Sequence, residues 1–139
     1  MSKYPSQGCA LQASISGTYT TIAGVTMIDV PDPEVEIEET TDLQVTHGKT
    51  FDTTGLVDPG EFGCEGFFDP GAATQTFLTG LIKAPVAGTL TPFKALFTDS
   101  GPTSWTWSGI PKKFKPDIKI GEAIKFKFSG KASGVVTGW

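Results

Sequence analysis

The stretch that most constrains the fold runs from Glu61 to Lys83, EFGCEGFFDPGAATQTFLTGLIK. From Glu61 to Phe68 it alternates. Phe62, Cys64, Gly66 and Phe68 fall on one face, and Glu61, Gly63, Glu65 and Phe67 on the other. A period of two is the mark of a strand. The period then changes. Ala73, Phe77 and Leu81 are four apart, and Leu78 and Ile82 widen the stripe into an apolar helix face. Asp69 and Pro70 supply a start: the carboxylate accepts from free N–H groups, and a first-turn proline has no N–H to leave unpaired. Lys83 suits the negative end of the helix dipole, and Pro85 bars continuation. The spacing predicts a strand feeding one helix over about 70–84, anchored by Phe68, Asp69, Phe77 and Leu81.

Nearly every other apolar run has strand character. Thr, Val, Ile and Phe fill the intervals between 17 glycines and 10 prolines, a composition of short strands and turns. Leu11, Ala13 and Ile15 alternate, Gly17-Thr18 turns, and Tyr19 to Val30 is a second strand region bent at Gly24. Residues 11–28 therefore read as an opening hairpin. Leu90–Asp99, Thr103–Ile110 and Ala123–Ser129 are further strands; in the last, Ile124, Phe126 and Phe128 alternate with Lys125 and Lys127. Residues 1–10 have no period and read as an N-terminal arm, and Pro111–Pro116 reads as a basic link. Residues 43–60 read as a long inter-strand loop holding His47, Lys49, Phe51, Leu56 and Val57. Loops of that length in a compact domain are usually functional or mobile. The expected architecture is a single domain over 1–139, mainly β: a β-sandwich or partial barrel of two antiparallel sheets with one flanking helix.

Charge is unevenly placed. Residues 1–70 carry twelve acids against Lys3 and Lys49, a balance of −10, and residues 71–139 carry three acids against nine lysines, a balance of +6. Such an asymmetry serves a charged partner or the acidic and basic surfaces of the chain's own copies. On the segment 34–42, Glu34, Glu36 and Glu38 share one strand face, and Val35 and Ile37 the other. Two readings stay open: solvated edge-strand charge that blocks stray pairing, or a negatively charged lining. The chain has no arginine, the residue best suited to bidentate reading of guanine or phosphate, so sequence-specific nucleic-acid binding is not expected.

Catalytic machinery is not legible. The single histidine, His47, sits before Gly48 in the long loop, where a solvent-facing role is expected. One His and the scattered Cys9 and Cys64 make no zinc spacing. No nucleophile elbow, Walker loop or dinucleotide fingerprint occurs. We expect no enzyme, no metal and no cofactor. Cys9 and Cys64 read either as buried thiols or as a bridge. Trp105 and Trp107 read either as a sugar-stacking platform or as a buried or subunit-contact pair. The lysines at 112, 113, 115, 119, 125, 127 and 131 meet phosphate, the acids of a neighbouring copy, or water. No apolar leader follows Met1 and no run approaches a membrane span, so a reducing cytosol and no membrane contact are expected.

The order of features nonetheless resembles a known family. An opening ALQASISGTYTTIAGVTMIDVP, an acidic alternating strand, a long loop, GEFGCEGFFDPGAATQTFLTGLI and late strands closing on IGEAIKFKFSGKASG are similar to the tail tube (major tail) proteins of long-tailed, lambda-type bacteriophages. The likeness spans about Ala10–Gly130, and its most specific pieces are Tyr19-Thr20-Thr21-Ile22-Ala23 and Phe67-Phe68-Asp69-Pro70. The resemblance implies a virion protein that self-assembles into hexameric rings. These stack head-to-tail into the tail tube, the conduit for genome ejection, built in the host cytoplasm. It implies tape-measure, tail-tip and tail-terminator partners, an assembly chaperone, and DNA that passes without sequence-specific binding. It implies that the arm and the long loop, with His47, Lys49, Phe51, Leu56 and Val57, reach neighbouring rings. If the two strands flanking that loop pair, Glu34, Glu36, Glu38, Glu61 and Glu65 form a carboxylate-rich lining of the bore. A carbohydrate-binding β-sandwich module and a non-polymerising tail terminator or completion protein are the alternative readings.

Overall fold

The structure is a computed structural model and describes residues 3–41, 48–99 and 102–138. Its elements follow in the order β1 (Ala10–Ile15), β2 (Thr18–Thr21), β3 (Val25–Asp29), β4 (Glu34–Glu39), β5 (Phe51–Asp58), β6 (Glu61–Phe67), α1 (Ala73–Lys83), β7 (Thr91–Leu96), β8 (Ser104–Asp117) and β9 (Lys125–Thr137). Seven strands make one antiparallel sheet in the order β2-β1-β7-β8-β9-β6-β3, and β4 and β5 make a separate two-stranded ribbon. The large sheet curls until β1 and β3, near its opposite edges, come together. This makes a partial barrel with one side chain in two pointing inward. The mainly β, two-sheet, one-helix architecture is the one the sequence predicts.

The interior is aromatic. Leu11, Ala13, Phe62, Cys64, Phe93, Ala95, Trp107, Phe126 and Phe128 alternate along their strands into one buried cluster, and Leu78 reaches it from α1. Phe62 is the centre, with ring centroids 4.6 Å from Phe93, 5.4 Å from Trp107 and 6.0 Å from Phe128. It fits there because Gly109 and Gly130 leave its ring room. A Cβ on Gly130 would stand 2.7 Å from Phe62 Cζ, well inside contact distance. The β1–β2 turn is made by Ser16 and Gly17, both at positive φ, the two-residue connection that matches strand twist. The bend expected at Gly24 is present, at φ +75. Beyond it the chain leaves the opening hairpin, and β3 pairs with β6 instead.

The helix begins later than Asp69 and Pro70 suggest. Ala72 holds the N-cap position without a side-chain cap. Asp69 closes the turn before it: its carboxylate accepts from Gly71 N–H at 2.9 Å and its carbonyl from Ala72 N–H at 3.0 Å. The inward face also differs. Thr74, Gln75 and Leu78 are buried, Phe68, Phe77, Leu81 and Ile82 are half-buried, and Ala73 is exposed. The cause is a backbone need at the sheet's end. Gln75 Nε2 donates to Ala23 O and Phe67 O, both at 2.9 Å, and its Oε1 accepts from Asp69 N–H at 2.9 Å. Thr74 Oγ1 accepts from Ala23 N–H at 3.0 Å. Strand ends that leave the ladder keep unpaired groups, and these two polar side chains satisfy them where apolar ones cannot.

Two further expectations change. Phe51–Asp58 is a strand paired with β4, so the later part of the connection expected over 43–60 is ribbon; residues 42–47 lie outside the described residues. The basic link at 111–116 is the second half of β8. Pro111 sits where the β8–β9 register shifts, a place a missing N–H is tolerated. The N-terminal arm, irregular from residue 3 to Cys9, lies on its own body: Thr98 Oγ1 donates to Pro5 O at 2.6 Å.

Candidate functional site

The ribbon of β4 and β5 contributes no buried side chain to the body. Every residue of both strands is exposed. Register sets two unlike faces. Glu34 opposes Asp58 and Glu38 opposes Asp52, with Glu36 between them, so five carboxylates share one face. Val35 opposes Val57, Ile37 opposes Thr53 and Glu39 opposes Phe51 on the other. Ile37 is 66% exposed, Phe51 61% and Leu56 62%, an exposed apolar patch of the kind that marks a contact surface. Lys49 is exposed in the connection, and His47 lies outside the described residues.

The five acids expected to lie together do not. β6, which carries Glu61 and Glu65, pairs with β3 and β9 and not with β4. Glu61 meets Lys112 at 2.9 Å and Glu65 meets Lys127 at 3.6 Å on the outer face of the large sheet. The Lys112 hydrogen bond holds the Glu61 carboxyl below its ordinary range. At the root of the ribbon Asp58 meets Lys131 at 2.9 Å, and that bond, with the Gly60 N–H, holds the Asp58 carboxyl low as well. Among the described residues, Glu34, Glu36, Glu38, Glu39 and Asp52 have no cationic partner.

The counterpart of this acidity is a second ribbon. From Lys112 to Lys127, β8 and β9 and their turn carry six lysines against Asp117 and Glu122. Register places Lys115 directly opposite Lys127, and Lys125 opposite Asp117. Like charges directly opposed are unfavourable unless an anion joins them. Lys113, Lys115, Lys119 and Lys125 make no ion pair among the described residues. Ile118, Ile120 and Ile124 are exposed beside them. Segment 32–58 holds eight acids against Lys49, net −7, while the remaining residues hold seven acids against ten lysines, net +3. The charge asymmetry read along the sequence is thus a spatial one, an acidic projection on a basic body.

The other candidates are structural. Trp107 is buried, and Trp105 is half-buried with its ring 5.7 Å from Phe97, so the pair offers no open platform to a sugar. Cys9 and Cys64 are both free. Burial, with Glu65 nearby, pushes the Cys64 thiol up to about 12. No group of His, Cys, Asp or Glu able to hold a metal ion occurs among the described residues, and no described helix is long and apolar enough to cross a membrane.

Solved structures share this architecture. The chain superposes on a chain from the tail of an empty gene transfer agent particle, refined with C6 symmetry. The TM-score is 0.77 at 13% identity, over 99% of each chain. It matches a chain of the six-fold symmetrised anti-feeding prophage baseplate at TM-score 0.75 and 11% identity, over 99% of this chain and 98% of that one. It matches the SPP1 tail tube at TM-score 0.71 and 13% identity, over 99% of this chain and 80% of that one. At these identities the likeness is one of fold. No protein-family model matches the sequence, and no curated protein matches it significantly.

Proposed function

We propose that this protein is the building block of a phage-type tail tube. Copies join into six-membered rings, the rings stack head-to-tail, and the stack is the virion's conduit for the genome. The observation that carries this reading is the β4–β5 ribbon: a folded, two-faced element with all its side chains in water, in a chain whose fold matches assembled tail subunits end to end. An acidic projection on a basic body makes a heterologous contact, and one that does not close by rotation continues as a filament. The free edges at β2 and β3 fit the same reading, since strand edges are pairing sites for another chain. The chain acts here through shape and not through catalysis, and its partners are its own copies and the proteins that begin and end such a tube.

The carboxylate-rich lining expected of Glu34, Glu36, Glu38, Glu61 and Glu65 rested on β4 pairing with β6, and within one chain the two strands do not pair. With Glu61 and Glu65 held by lysines of their own sheet, the three ribbon acids are left to face either the bore or another copy.

Sedimentation velocity over a range of protein concentrations tests the reading. Growth from a 14.7 kDa monomer to very large species with concentration, or on adding tail-tip complexes, is the expected result. A monomer that stays a monomer at every concentration and with tail-tip complexes present would overturn it, and would leave a capping or completion role for this fold.

A further inference from the structure

Within the assembly reading, the structure also points to where the acidic ribbon goes. We propose that the carboxylate face of β4–β5, formed by Glu34, Glu36, Glu38 and Asp52, seats on the β8–β9 lysine ribbon of a second copy, against Lys113, Lys115 and Lys125. Two observations converge on that occupant. Among the described residues the acids have no cationic partner within their own chain, and Lys113, Lys115 and Lys125 have no acidic one. The charges match in sign and in spacing: both sets are on extended antiparallel strands, so alternate residues on each recur at the same interval of about 6.5–7 Å.

The contact is between copies because the ribbon's root is fixed. Lys131 holds Asp58 at 2.9 Å, and Gly60 N–H donates to Asp58 Oδ1 at 2.9 Å, anchoring the acidic projection on the β6–β9 side of its own body. The acidic and basic ribbons of one chain make no strand pairing with each other. One copy therefore carries a donor face and an acceptor face at different places, and each copy can be used by two others. Glu61 and Glu65, engaged by Lys112 and Lys127, border the acceptor.

The test joins cross-linking and charge exchange. A mixture of unlabelled and ¹⁵N-labelled protein is treated with a zero-length carbodiimide, which joins carboxylates to amines in contact, and digested for mass spectrometry. Cross-links of mixed isotope between the Glu34–Glu38 peptide and peptides holding Lys113, Lys115 or Lys125 are expected. In parallel, Glu34→Lys/Glu36→Lys/Glu38→Lys and Lys113→Glu/Lys115→Glu/Lys125→Glu are made separately and together, with circular dichroism melts to show that each folds. Each separate triple variant is expected to raise the concentration needed for assembly by at least about tenfold, the effect of several exposed ion pairs turned repulsive. The combined variant is expected to bring it back. Ribbon acids that cross-link only elsewhere, reversals that assemble like the parent, or a combined variant that stays monomeric would overturn the docking, and the first two would return those acids to the bore. Failure of the parent protein to assemble at all would instead overturn the tube reading, while mixed-isotope cross-links at the named residues would still uphold this contact.

Discussion

Replacing Gln75 with leucine removes a side-chain amide that serves three backbone groups at once. In the folded chain it donates to Ala23 O and Phe67 O and accepts from Asp69 N–H, all at 2.9 Å, and it is 1% exposed. Leucine is of similar volume and helix propensity, so the change isolates the hydrogen bonds. Each buried backbone group left without a partner costs about 1–3 kcal/mol. The turns at Ala23 and Phe67 are only partly buried, so water recovers some of that and about 1 kcal/mol per group is the fair figure. Three groups cost roughly 3 kcal/mol, and the added apolar burial returns about 1 kcal/mol. The expected loss is about 2 kcal/mol, which at a urea slope near 2 kcal/mol/M lowers the unfolding midpoint by about 1 M. Urea titrations of parent and variant followed by tryptophan fluorescence read that shift. Hydrogen exchange at Asp69, whose N–H loses its acceptor, is expected to speed up more than exchange in β8. A midpoint unchanged within about 0.3 M would refute the claim that Gln75 latches the helix to the sheet.

Other consequences are as direct. Replacing residues 35–57 by a two-residue Asn-Gly turn, so that Glu34 and Asp58 still meet, should leave the thermal midpoint within a few degrees of the parent and abolish assembly, since the β4 and β5 side chains are exposed in the monomer; a collapsed monomer would contradict it. Ellman's reagent near pH 8 should titrate Cys9 in the native protein and Cys64 only after denaturation, because the buried Cys64 thiol is pushed up to about 12; two fast thiols would refute the burial. Asp58, Glu61 and Asp99 have folded pKa values held below their ordinary ones by Lys131, Lys112 and Thr103 respectively. Their stabilisation is therefore complete above the ordinary carboxylate range and lost as pH falls below about 4. A Lys112→Met/Lys131→Met variant should show a flatter melting-temperature profile across that range, and a profile parallel to the parent's would contradict the assignment.

The sequence carried most of the fold where one residue's pattern reports its own surroundings. The alternation of Phe62, Cys64 and Gly66, and of Phe126 and Phe128 with Lys125 and Lys127, gave β6 and the first part of β9, since a half-buried strand writes its period into its side chains. It misled where a polar residue is buried to meet distant backbone. By apolar spacing Ala73 and Leu81 belong inside, yet Thr74 and Gln75 take the inner face because Ala23, Phe67 and Asp69 need partners there. β5 was hidden because neither of its faces enters the core, and Gly55 at φ +82 interrupts its alternation near the register shift. The weak signal present was Phe51, Thr53 and Val57 against Asp52 and Asp58. The second half of β8 was masked by Pro111 and Pro116, of which one sits at a bulge and the other near the strand's end. Which strand pairs with which is a long-range fact that no local period records. The grouping of Glu61 and Glu65 with the ribbon acids failed on that point, while the charge asymmetry between the chain's halves survived as the contrast between ribbon and body.

Electron microscopy of the purified protein, concentrated and aged at room temperature and also incubated with tail-tip complexes, tests the central claim most directly. The account predicts hollow tubes or stacked rings whose end views average with six-fold symmetry and whose walls show the β4–β5 ribbon bridging copies. Dispersed single particles under both conditions, with no ring or tube at any protein concentration, would contradict it.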